Sequence, residues 1–177
     1  AIDGHTKMIF LCSPNNPTGN SLRRTDMEII LQNYFGLVVV DEAYINFSRQ
    51  KSMTAELDEY PQLFVMQTLS KAWGLAALRI GLGFAAGEII EVMNRIKPPY
   101  NINQASQELA LEALEEVGQV NDMIRTLVDQ REWLAGQLAN LPLVQEVYPS
   151  DANFLLVRVK NARGLYDYLL GKGIVVR

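Results

Sequence analysis

The sequence predicts an α/β protein in which a three-layer, mostly parallel sheet is followed by a smaller α+β unit. In the first half, short and continuously apolar runs alternate with helical segments, which is typical of parallel strands buried on both faces. A double proline, Pro98-Pro99, then ends this alternation. We therefore expect two domains, residues 1–97 and residues 98–177.

Four strands are predicted in the first domain, each from an apolar run. They span Met8–Cys12, Leu37–Val40, Leu63–Gln67 and the glycine-interrupted Ile80–Ala85. The turn-rich segment SPNNPTGN follows the first strand. After it, Met27, Ile30 and Leu31 have helical spacing, and Ser21 or Thr25 is the predicted N-cap.

The second domain is predicted to hold two long helices and a small sheet. The helices cover about 103–116 and 120–141, strands cover 144–148 and 154–159, a helix covers 162–172, and a last strand covers 174–177. Apolar residues at helical spacing predict a packing stripe on the second helix, made of Val120, Met123, Ile124, Leu127, Leu134, Leu138 and Leu141. We assign this stripe no binding role.

Composition narrows the class of function. The chain has 177 residues, is 49% hydrophobic and carries a net charge of −4. It has no basic stripe, so nucleic acid is not an expected partner. It has no apolar run near the roughly 20 residues that span a bilayer, and no signal-like leader. A single cysteine, Cys12, excludes an internal disulfide. We expect a soluble cytoplasmic protein without a metal site.

Both ends of the sequence indicate a longer protein. The chain begins without methionine and enters its first strand within a few residues. It stops inside the predicted strand 174–177, whereas termini usually lie in polar, exposed segments. We therefore expect part of a longer enzyme.

Polar side chains follow each of the first three strands. In an open α/β sheet, ligands bind at the carboxyl ends of parallel strands, so these side chains are expected on one edge. They are Asn15 and Asn16 after the first strand, Asp41 and Tyr44 after the second, and Thr68, Ser70, Lys71 and then Arg79 after the third.

Lys71 and its neighbours predict a site for a phosphorylated aldehyde. A lysine amine can form an imine with such an aldehyde and can then act as a general base. The hydroxyls of Thr68 and Ser70, with the guanidinium of Arg79, can hold the phosphate. This combination indicates pyridoxal 5'-phosphate.

The second strand supplies what the pyridine ring of that cofactor needs. The ring withdraws electrons only while its nitrogen is protonated, so a carboxylate must lie against it. Asp41, at the end of an apolar strand, is placed for this role, because an ion pair there is poorly screened. Tyr44 and Asn16 can donate hydrogen bonds to the phenolic oxygen of the ring.

Each of these residues also has an ordinary structural explanation when taken alone. Their joint occurrence in order, all at strand ends, favours the cofactor site. We interpret His5 as a surface or packing residue, Cys12 as core and Glu42 as structural. LVVVDEA also resembles the magnesium-binding strand of nucleotide hydrolases, but the required G-x-x-x-x-G-K-[ST] loop is missing from the sequence.

Three motifs resemble the signatures of the class I/II (fold-type I) aminotransferases, and most closely the histidinol-phosphate branch of that family. They are SPNNPTG, VVVDEAYINF and TLSKAWGLAALRIG, and the resemblance continues through KPPYN, DANFLLV and GIVVR. It thus covers essentially the whole chain. Ala77 stands where many relatives have glycine, and we expect little effect unless that position needs a positive φ.

The resemblance implies a role for each matching residue. Lys71 would carry the cofactor, Asp41 would pair with its ring nitrogen, and Tyr44 and Asn16 would bind its ring oxygen, close to the substrate. Thr68, Ser70 and Arg79 would bind its phosphate, and Arg177 would lie near the substrate.

For the parent enzyme, the resemblance implies a homodimer that transfers the amino group of L-histidinol phosphate to 2-oxoglutarate in histidine biosynthesis. An aromatic aminotransferase or a decarboxylase of a phosphorylated amino acid would share every motif. Family members are about twice this length, and the half that is missing here contributes part of the site. We therefore expect the present chain to correspond to the C-terminal half of the large domain plus most of the small domain. It should have an exposed sheet edge and should be incomplete for activity, or a non-catalytic piece.

Overall fold

A computed structural model describes residues 2–177. Its main sheet has four strands in the order β1-β2-β3-β4. These are β1 (Met8–Cys12), β2 (Leu37–Asp41), β3 (Leu63–Thr68) and β4 (Gly81–Ala85). The first three pair in parallel, and β4 pairs antiparallel to β3. The predicted α/β class with a mostly parallel sheet is confirmed.

Helix α1 (Arg24–Asn33) covers one face of this sheet. Its Met27 and Leu31 pack against a cluster that the alternate residues of β2 and β3 provide, since successive strand side chains point to opposite faces. The cluster contains Val38, Val40, Leu63 and Val65, together with Met53 and Tyr60 from the connection between β2 and β3. These apolar side chains form the main core of the molecule.

The predicted N-cap of α1 is wrong. The helix begins after Arg23, which makes no capping bond with its side chain. Thr25 lies inside the first turn, and Ser21 Oγ instead lies 3.4 Å from Ser48 Oγ. The favourable charge at this helix end is Asp26 in the first turn, and the exposed guanidinium of Arg23 forms an ion pair with it at 2.9 Å.

The open edge predicted for the sheet is present. β1 is an outer strand, and its Phe10 remains 67% exposed although it lies in a continuously apolar run. Residues 2–177 contain no further strand on that side of β1. None of the helices described in this range is long and apolar enough to cross a membrane.

Helix α2 (Gly87–Ile96) follows β4 and ends just before Pro98-Pro99. The remaining elements come after these prolines. They are α3 (Gln104–Glu115), α4 (Val117–Ala139), β5 (Val144–Val147), β6 (Val157–Val159) and α5 (Ala162–Gly171). β5 and β6 pair antiparallel in a second sheet. The strand predicted over 154–159 is shorter in the structure, because only 157–159 pairs with β5.

The last predicted strand is not formed. A strand needs a partner, and within 2–177 no strand pairs with 174–177. Instead, Gly173 adopts a left-handed φ of 77°, and Ile174 N donates to Leu169 O at 2.9 Å. This is the usual way in which a glycine ends a helix, so the segment closes α5 rather than entering a sheet.

The packing face of α4 is rotated relative to the predicted stripe. Ile124 and Val128 pack against the cluster around Tyr44, and Arg131 is buried on the same side. Met123, Leu127, Leu134 and Leu141, which we had placed in the stripe, are exposed. Their spacing fitted two adjacent faces of the helix, and tertiary contacts selected the one that includes an arginine.

Candidate functional site

The carboxyl ends of the three parallel strands meet at one edge, as predicted. Asp41 is in register with Cys12 of β1 and Met66 of β3. Main-chain bonds extend the ladder past the strand ends, since Ser13 N donates to Asp41 O at 3.0 Å and Glu42 N donates to Met66 O at 2.8 Å. The loops that carry the predicted site residues therefore leave the sheet side by side.

Tyr44 is the residue around which the candidate site is organised. Its side chain is buried (7% exposed). Its hydroxyl oxygen accepts a hydrogen bond from Asn16 Nδ2 at 2.9 Å. Lys71 Nζ lies 5.3 Å from the centroid of its ring. The structure thus brings one residue from each of the three strand ends into one group.

Asp41 has an acceptor oxygen available. Its Oδ1 accepts from Ala43 N at 3.0 Å, which fixes the carboxylate at the start of the loop that leads to Tyr44. No hydrogen bond or ion pair within the described range involves its Oδ2. A half-buried carboxylate in this arrangement can accept a hydrogen bond from a protonated nitrogen of a ligand.

Thr68 and Ser70 lie on the turn between β3 and Lys71. Thr68 Oγ1 accepts from Ser70 N at 3.1 Å and donates to Ile80 O at 3.3 Å. The Thr68 hydroxyl therefore shapes this turn, whereas Ser70 presents its hydroxyl without a bond to another residue described in the structure. Of the two, Ser70 is the freer ligand donor.

Arg79 adopts a left-handed backbone with φ of 58°. It is the one non-glycine residue with positive φ among those described. Its Nη1 donates to Ala76 O at 2.9 Å, and no ion pair joins its exposed guanidinium to a carboxylate in residues 2–177. Ala77 has no positive φ, in agreement with the expected tolerance of that substitution. Strained backbone of this kind is common at ligand sites.

Arg177 is not brought to this group. It is exposed at the end of the segment that follows α5, and no hydrogen bond or ion pair joins it to a residue in the described range. His5 is likewise exposed and contacts Asp3 in a local turn. No group of acidic, histidine or cysteine side chains in 2–177 could hold a metal ion.

Two residues near Tyr44 were missed by the sequence analysis. The ring of Phe154 meets the ring of Tyr44 edge to face, with centroids 5.3 Å apart. Arg131 is buried behind this pair on α4. The spacing of Ile124, Val128 and Arg131 on one helix face was an available signal, because an arginine in line with apolar residues indicates a buried role.

Glu42 is structural, and it is buried at 2% exposure. Its carboxylate accepts hydrogen bonds from Ser52 Oγ at 2.5 Å, from Met53 N at 2.7 Å and from Gln67 Nε2 at 3.0 Å. These bonds connect the end of β2 to the end of β3 and to the loop between them. Glu42 therefore holds the strand ends that carry Asp41 and Lys71.

Replacing Glu42 with alanine is expected to destabilise the fold by about 3 kcal/mol, because one buried donor and two half-buried donors lose their acceptor. Urea denaturation measures this change. Glu112→Ala, on an exposed helix face, is the matched control and should change the free energy of unfolding by less than about 0.5 kcal/mol. A loss below about 1 kcal/mol at Glu42 would contradict this account of its carboxylate.

Cys12 lies at the end of β1, and its surroundings disfavour the reactive thiolate form. Burial raises the pKa of its thiol; a hydrogen bond with the main chain of Asn16 lowers that pKa in part, and the nearby Asp41 carboxylate adds a smaller increase. The thiol therefore stays protonated, and hence unreactive, to a higher pH than a free cysteine.

Alkylation of Cys12 by iodoacetamide should accordingly follow a pH profile whose midpoint lies above that of free cysteine. Because the pKa of the thiol is raised in the folded state, the upward displacement of the midpoint should be seen in the folded protein and should disappear when the protein is unfolded in urea. Peptide mapping across pH 7 to 10 measures the profile. A folded-state midpoint at or below that of the unfolded chain would contradict the assignment.

Comparisons with known proteins show the family of the chain. The family model for aminotransferase class I and II matches residues 1–177. The histidinol-phosphate aminotransferase of Cytophaga hutchinsonii is 51% identical over 177 residues, which are 100% of this chain and 51% of that protein. The chain therefore spans about half the length of the curated relatives it matches.

Solved structures give the same result. The histidinol-phosphate aminotransferase of Clostridium acetobutylicum superposes with a TM-score of 0.89 at 25% identity, covering 97% of this chain and 54% of that one. The L-threonine-O-3-phosphate decarboxylase of Porphyromonas gingivalis superposes with a TM-score of 0.87 at 27% identity, covering 100% and 56%. The family model matches the whole of this chain, and the chain shares its fold with these enzymes. The chain therefore belongs to the class I and II aminotransferase family.

Proposed function

We propose that this chain forms the lysine-bearing half of a pyridoxal 5'-phosphate-dependent aminotransferase. In full length, this protein would transfer the amino group of L-histidinol phosphate to 2-oxoglutarate. The observation that carries the proposal is the grouping of Asn16, Tyr44 and Lys71, with Asp41 beside them at the same strand ends. The domain division at residue 97, a homodimeric assembly and a cytoplasmic location are parts of the same proposal.

The donor set fits the cofactor. Asp41 offers an unpaired carboxylate oxygen, which suits a protonated ring nitrogen. Tyr44 offers a hydroxyl proton, because in its bond with Asn16 it is the acceptor. Lys71 makes no ion pair with a carboxylate in residues 2–177, so its amine is available for the aldehyde.

When bound, pyridoxal 5'-phosphate supplies an electron sink that labilises the bond to the α-hydrogen of an amino substrate. Asp41 holds a proton on the ring nitrogen, and its negative charge at this half-buried position maintains that protonation. The Tyr44 hydroxyl and the Asn16 amide orient the ring through its phenolic oxygen.

Lys71 moves the proton in this proposal. Its Nζ lies over the Tyr44 ring, and the face of an aromatic ring attracts the ammonium form by about 0.5 to 1 kcal/mol. The neutral amine takes the substrate proton, and the resulting ammonium is held beside the ring until it returns the proton. Ser70, Thr68 and Arg79 bind the phosphate in this proposal. Arg177 lies apart from the strand-end group here, and its place near the substrate is assigned from the family resemblance alone.

Assays with a panel of amino donors test the substrate assignment. The full-length form, meaning a chain extended to the length of the relatives, should produce glutamate from 2-oxoglutarate with L-histidinol phosphate at the highest kcat/KM. Higher kcat/KM with L-phenylalanine or L-tyrosine would show an aromatic aminotransferase instead.

A decarboxylase is the second candidate, because a structural neighbour at 27% identity carries that name. The same panel with O-phospho-L-threonine distinguishes it. Release of carbon dioxide without formation of glutamate would show that the protein is a decarboxylase and not an aminotransferase. Formation of glutamate with no release of carbon dioxide above background would support the aminotransferase proposal.

A further inference from the structure

A buried arginine lies behind the candidate site. Arg131 of α4 is 9% exposed and faces the same side as Val128. Its Nη1 donates to Ala152 O at 2.7 Å and to Phe47 O at 3.4 Å. The nearest carboxylate oxygen, Oε1 of the half-exposed Glu132, is 3.7 Å from Nη2. The guanidinium is therefore held mainly by two main-chain carbonyls that are far apart in sequence.

Those two carbonyls lie next to the two aromatic rings of the site. Phe47 N donates to Tyr44 O at 3.1 Å in a short 3₁₀ helix, so Phe47 and Tyr44 belong to the same hydrogen-bonded turn. Ala152 precedes Phe154 by two residues, and Phe154 packs edge to face on Tyr44. A single guanidinium nitrogen, Nη1 of Arg131, thus bonds to the backbone on both sides of the ring pair.

A second connection joins the same loop to the segment after β1. Asp151 N donates to Gly19 O at 2.7 Å. Gly19 has φ of +79°, and a Cβ built on it would lie 2.6 Å from Ser150 Oγ. The loop 150–154 is therefore pressed against both loops that carry the Asn16–Tyr44 bond.

We propose that Arg131 is a positioning residue for Tyr44. By tying Phe47 and Ala152 together, it keeps Phe154 against the Tyr44 ring and so keeps the Tyr44 hydroxyl at Asn16, where it meets the ring oxygen of the cofactor. Arg131 itself touches neither cofactor nor substrate. This inference rests on the proposed function.

Hydrogen exchange in the cofactor-free, full-length protein tests the mechanical part. In Arg131→Met, the amide of Asp151 should exchange at least about tenfold faster, because the loop is released, while the amides of β2 and β3 keep their protection. Arg125→Met, which alters an exposed arginine of the same helix, is the matched control and should change neither. Unchanged exchange at Asp151 in Arg131→Met would overturn the proposal.

The loaded protein supplies a readout that a purely structural role would not change. In the loaded protein, two groups would donate a hydrogen bond to the phenolic oxygen of the cofactor: the Tyr44 hydroxyl and the protonated nitrogen of Lys71. If Tyr44 is displaced, the bond from the Lys71 nitrogen strengthens, so that nitrogen keeps its proton to a higher pH. The pH midpoint of the visible absorbance should rise by about half a unit or more in Arg131→Met. An unchanged midpoint with a lower melting temperature would overturn the positioning role.

Two further variants keep the test decisive. Arg131→Lys retains the charge and a donor nitrogen on a shorter side chain, so it should show smaller shifts in the same directions. It carries the test if Arg131→Met does not fold. Phe154→Leu removes the ring contact alone and should raise the same midpoint. If the unaltered protein showed no cofactor on Lys71, the proposed function would fail, while the hydrogen-exchange result would still decide the role of Arg131.

Discussion

Replacing Lys71 with alanine in the full-length protein is expected to lower transamination by at least about 10⁴-fold while leaving the fold intact. The loss is large because one side chain is both the point of attachment and the general base. The fold should persist, since Lys71 is exposed and its ammonium group contacts the face of the Tyr44 ring. Steady-state kinetics and thermal unfolding measure the two effects.

Lys160→Ala is the matched control, because Lys160 is an exposed lysine outside the strand-end group. It should retain full activity. Turnover by Lys71→Ala within about tenfold of the unaltered protein would remove Lys71 from the mechanism.

Replacing Asp41 with asparagine is the second substitution with a large expected effect. The asparagine oxygen can still accept from Ala43 N, so the loop is preserved. The negative charge against the ring nitrogen is lost, and kcat should fall by about 10² to 10³-fold, as when a preorganised electrostatic group is removed from other enzymes. Cofactor affinity and kcat measured together show whether binding or chemistry suffers.

Asp58→Asn provides the comparison, since Asp58 is an exposed aspartate on the loop between β2 and β3. It should behave like the unaltered protein. If Asp41→Asn kept kcat within about threefold, the carboxylate would have no electrostatic role in the reaction.

Much of the sheet could be predicted from local pattern. Continuous apolar runs identified the three parallel strands, because parallel strands are usually buried on both faces and have little polar alternation. The antiparallel β4 was identified from a glycine-interrupted apolar run. The same reasoning placed Asp41 and Lys71 at strand ends, and the parallel register then brought these ends to one edge.

The features that were missed depend on contacts between distant segments. Arg131 is 84 residues from Phe47 in sequence, and only the tertiary packing of α4 shows that its guanidinium faces inward. The last segment read as a strand because Ile174, Val175 and Val176 are β-branched, yet Gly173 ends α5 and no strand pairs with them in the described range. Local composition cannot specify a partner.

The position of the cofactor on Lys71 is the central claim. Incubation of the full-length protein with pyridoxal 5'-phosphate, borohydride reduction and peptide mass mapping tests it most directly. We expect one pyridoxyl group per chain, on the peptide that contains Lys71, and its absence from that peptide in Lys71→Ala. A label on a different lysine, or a label spread over surface lysines, would contradict the assignment of the site.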